Sequence, residues 1–197
     1  MRIILSTKNP SKALQIQTLL NDDAFEVVTL GEIGIHDDVV EDGNTLEENA
    51  FKKAIFAFEQ TGEYVIAEDT GLFIDALAGR PGIHAARWAG DSATTEEIRD
   101  YTLEQLRNVP LELRTATFKT VAIVMFPDGS HTVCTGELPG LILLEPRMEC
   151  QPKMPYSALF QPLGHQKTWA EMTTEEENAI SHRGEAFRNV RDILLKL

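Results

Sequence analysis

The chain has 197 residues, of which 43% are hydrophobic and 25% charged, and its formal net charge is -13. Length and composition suit one globular domain, residues 1–197, with a real core. So acidic a surface argues against nucleic acid as a partner, because that binding relies on Lys and Arg displacing counterions from phosphates. A small polyphosphate carried with Mg2+ stays compatible, since a local basic pocket and a metal can offset the global charge. The two cysteines, Cys134 and Cys150, lack metal-ligand or redox spacing and read as free thiols of a reducing compartment. No apolar run approaches the roughly 20 residues of a membrane span. The expectation is a soluble, cytoplasmic protein with no membrane partner.

Met1 to Ser6 reads as a buried strand, and Asn9-Pro10 as an N-cap followed by Pro at the first helical position. Ile16, Leu19 and Leu20 share one face of the helix that follows. Residues 25–29 are a short strand. Thr45 and Glu48 have capping-box spacing, which predicts a helix from there to about Gln60. Residues 64–67 form an apolar strand that delivers Glu68 and Asp69 at its end. A helix is expected over 94–108 and a long strand over 115–126. The turn 127–130 leads into a strand at 131–138, making a hairpin. Residues 141–170 read as loop and short strand, and 184–197 as a closing helix. Interspersed strands and helices with one hairpin indicate an α/β protein with a mixed sheet.

Four segments carry candidate chemistry. Ser6-Thr7-Lys8-Asn9-Pro10-Ser11-Lys12 lies between a strand and a helix. A helix N-terminus offers unpaired N–H groups and about half a positive charge, so it suits an anion, and Lys12 adds a full charge. A plain capped helix with a solvated lysine fits the segment equally well, and the Gly-rich phosphate loop pattern is absent. Glu41 sits in an acidic run, Asp37-Asp38-Val39-Val40-Glu41-Asp42, whose carboxylates could hold Mg2+ or simply form a solvated loop. Lys53 lies one turn beyond Asn49 on the next helix. In Glu68-Asp69-Thr70-Gly71, one carboxylate could bind a metal and the other activate a water. Ser181-His182-Arg183-Gly184 sets a hydroxyl, an imidazole and a guanidinium in a row, a clamp for a base edge or phosphate or else a helix cap.

In this order and spacing the segments resemble the inosine triphosphate pyrophosphatase family over nearly the whole chain. STKNPSK is similar to the family's T-x-N-x-x-K opening, and EDGNTLEENAFKKA to its E-x-G-x-T-F-x-E-N-A-x-x-K-A. AEDTGLFIDALAGRPGIHAARWAG resembles the central D-[DE]-[ST]-G-L stretch, and TWAEMTTEEENAISHRG the closing N-x-x-S-H-R-G. The resemblance implies a mixed elongated sheet with helices, two lobes around a central cleft, and a homodimer. It implies Mg2+-dependent hydrolysis of (deoxy)inosine and xanthosine triphosphates to monophosphate and pyrophosphate, which removes deaminated purines from the nucleotide pool. By position it places Thr7, Asn9 and Lys12 on the phosphates, with Lys53 assisting. Glu41 and Asp69 would hold Mg2+, with Glu68 beside them and Asp69 as general base. Tyr156, Ser157, Ser181, His182 and Arg183 would bind substrate, with His182 and Arg183 facing the purine.

The departures cluster. The family's G-F-G-Y-D-P-I-F corresponds here to residues 153–160, where Tyr156 and Phe160 survive. Met154 replaces the stacking Phe, Pro155 the Gly, and Ser157 the Asp that meets the base. Glu177 stands where Lys is expected, and Gln15 where Glu is. The metal and water-activating half is intact and the purine-selecting half altered. Two further readings therefore stand: the same hydrolysis with a different nucleotide preference, and a nucleotide-binding relative with little turnover.

Overall fold

The computed structural model describes residues 1–37 and 39–197, so Asp38 of the acidic run lies outside the described residues. In chain order the elements are β1 (Arg2–Ser6), α1 (Pro10–Leu19), β2 (Glu26–Thr29), α2 (Leu46–Thr61), β3 (Tyr64–Ile74) and β4 (Pro81–Gly82). There follow α3 (Thr95–Gln105), β5 (Thr115–Met125), β6 (His131–Ile142), β7 (Phe160–Pro162), α4 (Thr174–Ile180) and α5 (His182–Leu194). The sheet order is β2-β1-β3-β5-β6-β7, with β4 paired to β3. β1 runs parallel to both β2 and β3, whereas β4 on β3 and β7 on β6 are antiparallel. The expected mixed α/β sheet is what the chain forms.

The helices start where the sequence places their caps. Thr45 accepts the Glu48 N–H at 3.1 Å, and Thr94 and Glu97 close a full capping box at the head of α3. Gly62 ends α2 at φ 66, a left-handed conformation that costs glycine nothing. β3 differs from expectation: it runs on to Ile74, so Glu68 and Asp69 lie inside the strand and not at its end. Gly71 makes the extension possible. A Cβ there would stand 2.7 Å from the Gly82 carbonyl oxygen, on the strand that pairs with Leu72 and Phe73. β6 likewise reaches Ile142, α5 starts at His182, and α4 is a short helix with its own Thr173–Glu176 capping box.

The chain divides into two compact units, and β3, β5 and β6 each contribute residues to both. The first comprises Met1–Asp69, Thr120–Gly136 and His182–Leu197. Its strands alternate between two apolar clusters, as side chains on opposite faces of a sheet must. Ile3, Leu5, Ile66, Ala122 and Val124 pack with Ile16 and Leu20 of the α1 region and with Phe187 and Val190 of α5. Ile4, Val65, Ala67, Ile123 and Met125 pack with Ala50, Ala54 and Ala57 of α2. The second unit, Thr70–Lys119 and Glu137–Ser181, is centred on Phe118, Phe160 and Trp169, whose ring centroids lie 4.4–4.8 Å apart.

In the first unit β6 meets α5 at Gly136, where a Cβ would collide with the His182 carbonyl oxygen and lie 2.7 Å from the Ala186 nitrogen. Both obstacles are backbone and cannot rotate away. Gly136→Ala should therefore destabilise the protein by about 2–3 kcal/mol, measurable as a lowered urea midpoint at unchanged slope. An unaltered midpoint would show that α5 can leave this strand without cost.

Candidate active site

The parallel register of β1 and β3 sets the first unit's polar centre. Ser6, the last residue of β1, pairs with Ala67, so Glu68 and Asp69 follow directly on the neighbouring strand. The Ser6 hydroxyl donates to the Lys53 carbonyl at 3.0 Å and ties the end of β1 to α2. Carboxyl ends of parallel strands are where open α/β sheets place their ligands.

Adjacent positions on β3 face opposite ways, and the two carboxylates meet different partners. Glu68 follows the Ile66 face, under α1 and α5. Its Oε1 pairs with Lys12 Nζ at 2.6 Å, and its side chain is only 1% exposed. Arg183, from the start of α5, donates from Nη1 to Gln15 Oε1 at 2.6 Å and adds its charge on Glu68. Asp69 follows the Val65 and Ala67 face, under α2. Its Oδ1 lies 3.4 Å from Lys53 Nζ, and its Oδ2 accepts from Asn49 Nδ2 at 3.1 Å. Lys53 also reaches Glu41 Oε1 at 3.2 Å. The Asn49 Oδ1 in turn accepts the Gly43 N–H at 2.8 Å, and Lys52 pairs with Asp42.

These environments push the two carboxyl groups apart. Burial alone would raise the Glu68 pKa, but Lys12, Arg183 and Lys53 together hold it well below the usual carboxylate range. Burial raises Asp69 above its ordinary value: Lys53 opposes the rise, and the neighbouring Glu68 charge adds to it. Burial lowers the Lys53 ammonium, but Asp69, Glu68 and Glu41 outweigh it and the net shift is upward. His182 is pushed well below its usual value, first by burial and then by Arg183, so its imidazole is neutral at physiological pH.

Of the residues singled out in the sequence, Lys12, Glu41, Lys53, Glu68, Asp69 and Arg183 act on one another in this unit. Thr7 and Asn9 stand at the head of α1, and here they serve the helix itself. Thr7 Oγ1 accepts the Asn9 N–H at 3.3 Å, and Asn9 Oδ1 accepts from Ser11 N and Lys12 N at 3.0 and 3.3 Å. Tyr156, Ser157 and Ser181 belong to the second unit. Tyr156 is a core side chain whose hydroxyl donates to the Ala85 carbonyl at 2.8 Å. The Ser157 hydroxyl accepts from Gln151 N and donates to the Met154 carbonyl, both at 2.8 Å, and so braces its own loop. Ser181 caps α4, its N–H on the Glu177 carbonyl. The sequence reading names Asn49 and Gln15 but gives neither a place in the site. Asn49 had a signal, since it stands one helical turn before Lys53 on the same face.

The fold and these buried charges define a class: an α/β protein with lysines and carboxylates gathered where the parallel pairing of β1 and β3 ends, suited to phosphate chemistry. The chain belongs to the Ham1 family, whose model matches residues 3–193. A dITP/XTP pyrophosphatase from Thermoanaerobacter pseudethanolicus is 40% identical, covering 100% of this chain and 98% of the relative. Another protein of that name, from Caldanaerobacter subterraneus, is 41% identical over 100% and 97% of the two chains. Among solved structures, a HAM1 protein from Coxiella burnetii superposes with a TM-score of 0.90 at 35% identity, each chain covered in full. The Ham1 protein of Staphylococcus aureus gives 0.88 at 30%, covering 100% of this chain and 99% of the other. No helix among the described residues is long and apolar enough to cross a membrane.

The buried pairing of Glu68 with Lys12 predicts the effect of removing the Glu68 charge. Its folded pKa lies below its ordinary value of 4.5, so its pairing contributes stability above that pH and loses it as the pH falls further. Glu68→Gln should cost about 3 kcal/mol near neutral pH, with the gap to wild type narrowing on acidification. Urea unfolding of both proteins across that range is the check. A gap independent of pH would show that the carboxylate is not the charged partner.

Proposed function

We propose that this chain hydrolyses inosine and xanthosine triphosphates, in ribose or deoxyribose form, to the monophosphate and pyrophosphate. On this reading it acts as one pyrophosphatase domain of 197 residues, a cytoplasmic homodimer that clears deaminated purines and binds neither nucleic acid nor membrane. That the chain is a nucleoside triphosphate pyrophosphatase rests on its family and on relatives named dITP/XTP pyrophosphatase, matched over 98% and 97% of their length. The observation that carries the mechanism is the meeting of Lys53, Glu41 and Asp69 beside the Lys12–Glu68 pair.

Asp69 is the general base. A water oxygen forms a bond to the α-phosphorus, the bridging bond to the β-phosphate breaks, and pyrophosphate leaves. The water's proton passes to Asp69, whose raised pKa favours that transfer. Lys53, and Lys12 once it shifts from Glu68 toward the phosphates, offset charge developing on the phosphate oxygens. Thr7 and Asn9 complete that end of the site. Glu68, held below the usual carboxylate range by Lys12, Arg183 and Lys53, stays charged and takes no proton. Neutral His182 and Arg183 meet the purine, with Ser181 beside them.

The donor set fits Mg2+. Two carboxylates, Glu41 and Asp69, converge on one cation, Lys53. Mg2+ is commonly held by one or two such groups, with phosphate oxygens and waters completing its shell. Bound there, it would neutralise phosphate charge and polarise the scissile phosphorus.

A second reading, the same hydrolysis with another nucleotide preference, is favoured by one observation. Ser157 is 1% exposed with its hydroxyl committed to its own loop, and Tyr156 is buried in the second unit's core. Neither is spare for a base.

A nucleotide panel with Mg2+, assayed for pyrophosphate and monophosphate, tests both readings. Pyrophosphate should be released preferentially from inosine and xanthosine triphosphates, and Asp69→Asn should lower turnover by at least about a hundredfold with little change in stability. Preference for a standard nucleotide would favour the second reading. Turnover retained by Asp69→Asn would remove that residue from the base role, and binding with no turnover in the wild type would make the chain a binder.

A further inference from the structure

Asn49 is 1% exposed, and both ends of its amide are engaged. The Gly43 N–H can only donate, so it fixes Oδ1 at one end and leaves Nδ2 facing Asp69 Oδ2 at 3.1 Å. Asp69 Oδ1 lies on Lys53, so the two oxygens of the carboxylate have different partners and the group cannot turn without losing one. Gly43 is two residues beyond Glu41, and its approach to Asn49 requires glycine. A Cβ there would stand 2.6 Å from Asn49 Oδ1 and 2.8 Å from Glu48 Cβ. The head of α2 has no need of this amide: Thr45 Oγ1 accepts the Glu48 N–H, and Glu48 Oε2 accepts the Asn44 N–H.

We propose that Asn49 is a positioning residue: a single side chain that aims the Asp69 carboxylate and holds the Glu41 loop in register with it. The inference rests on the reading of Asp69 as the base. Its effect is expected on kcat, since a misaimed base slows the chemical step while the phosphate contacts remain.

Asn49→Asp removes the donor and sets a second buried carboxylate against Asp69. It keeps the size of the side chain and an acceptor for Gly43, and it replaces the NH2 facing Asp69 with an oxygen. The expected result with Mg2+ and nucleotide is a fall in kcat of about tenfold or more at nearly unchanged KM, in protein that folds but melts at a lower temperature than wild type. Gly43→Ala should give the same split from the other side, by displacing the amide without altering it. In protein labelled with 15N, the Asn49 side-chain amide signal, assigned by its loss in Asn49→Ala, should shift in Asp69→Asn. Wild-type kcat in folded Asn49→Asp, with Asp69→Asn inactive, overturns the role of Asn49 and leaves the base reading standing. An active Asp69→Asn overturns the base reading itself. An Asn49 amide signal indifferent to Asp69→Asn shows that the hydrogen bond is not made.

Discussion

The pairing of Lys53 with Asp69 and Glu41 sets the terms for everything around it. An ammonium with an 11% exposed side chain is costly to hold unless carboxylates and hydrogen bonds replace the water it gives up. That constraint reaches into the fold. Ala50, Ala54 and Ala57 of α2 pack with Ile4, Val65 and Ala67 of the strands, and their small side chains let the helix approach β1 and β3. The Ser6–Lys53 hydrogen bond then locks its height along β1. Longer residues on that face of α2 would lift Lys53 away from Asp69 and leave both charges buried and unpaired.

The strand supplies the second element of the arrangement. Because β3 continues through Glu68 and Asp69, adjacent residues are delivered to opposite faces. One carboxylate lies among Lys12, Arg183 and Lys53 and becomes a fixed negative charge. The other shares its surroundings with one lysine and a neutral amide, and it stays closer to protonation. Neighbouring groups whose environments drive their pKa values in opposite directions can divide the work of holding charge and moving a proton. Had the strand ended before Glu68, as the sequence suggested, a flexible turn would have let both carboxylates seek the same cations.

Much of this was legible beforehand. Caps at Asn9 and Thr45 are local chemistry, readable from a few residues, and so is the apolar run that makes β1 a buried strand. Lys12, Lys53, Glu68 and Asp69 were legible because they recur in a spaced pattern. The extension of β3 was hidden, because it depends on Gly71 meeting Gly82 across a pairing that no local window contains. Asn49 stood in the same pattern, one helical turn before Lys53, but its role was hidden for a related reason. Its importance lies in bonds to Gly43 and, 20 positions along, to Asp69, and an Asn inside a helix is otherwise unremarkable. Gln15 gains meaning only from Arg183, at the far end of the chain.

The altered segment at 153–157 can be understood from the same accounting of donors and acceptors. The Ser157 hydroxyl receives one hydrogen bond and gives another. A carboxylate in its place could accept from the Gln151 N–H but would face the Met154 carbonyl with nothing to donate, a buried clash of acceptors. Ser is therefore the residue this loop conformation calls for, and the positive φ of Lys153 at its entry belongs to the same tight turn. A loop stabilised by its own hydrogen bonds has less to offer a base than one with an outward carboxylate. If the chain discriminates among purines, the selectivity on the proposed reading falls on His182 and Arg183. On that reading, their burial beside the Lys12–Glu68 pair would couple base recognition to the charges proposed to meet the phosphates.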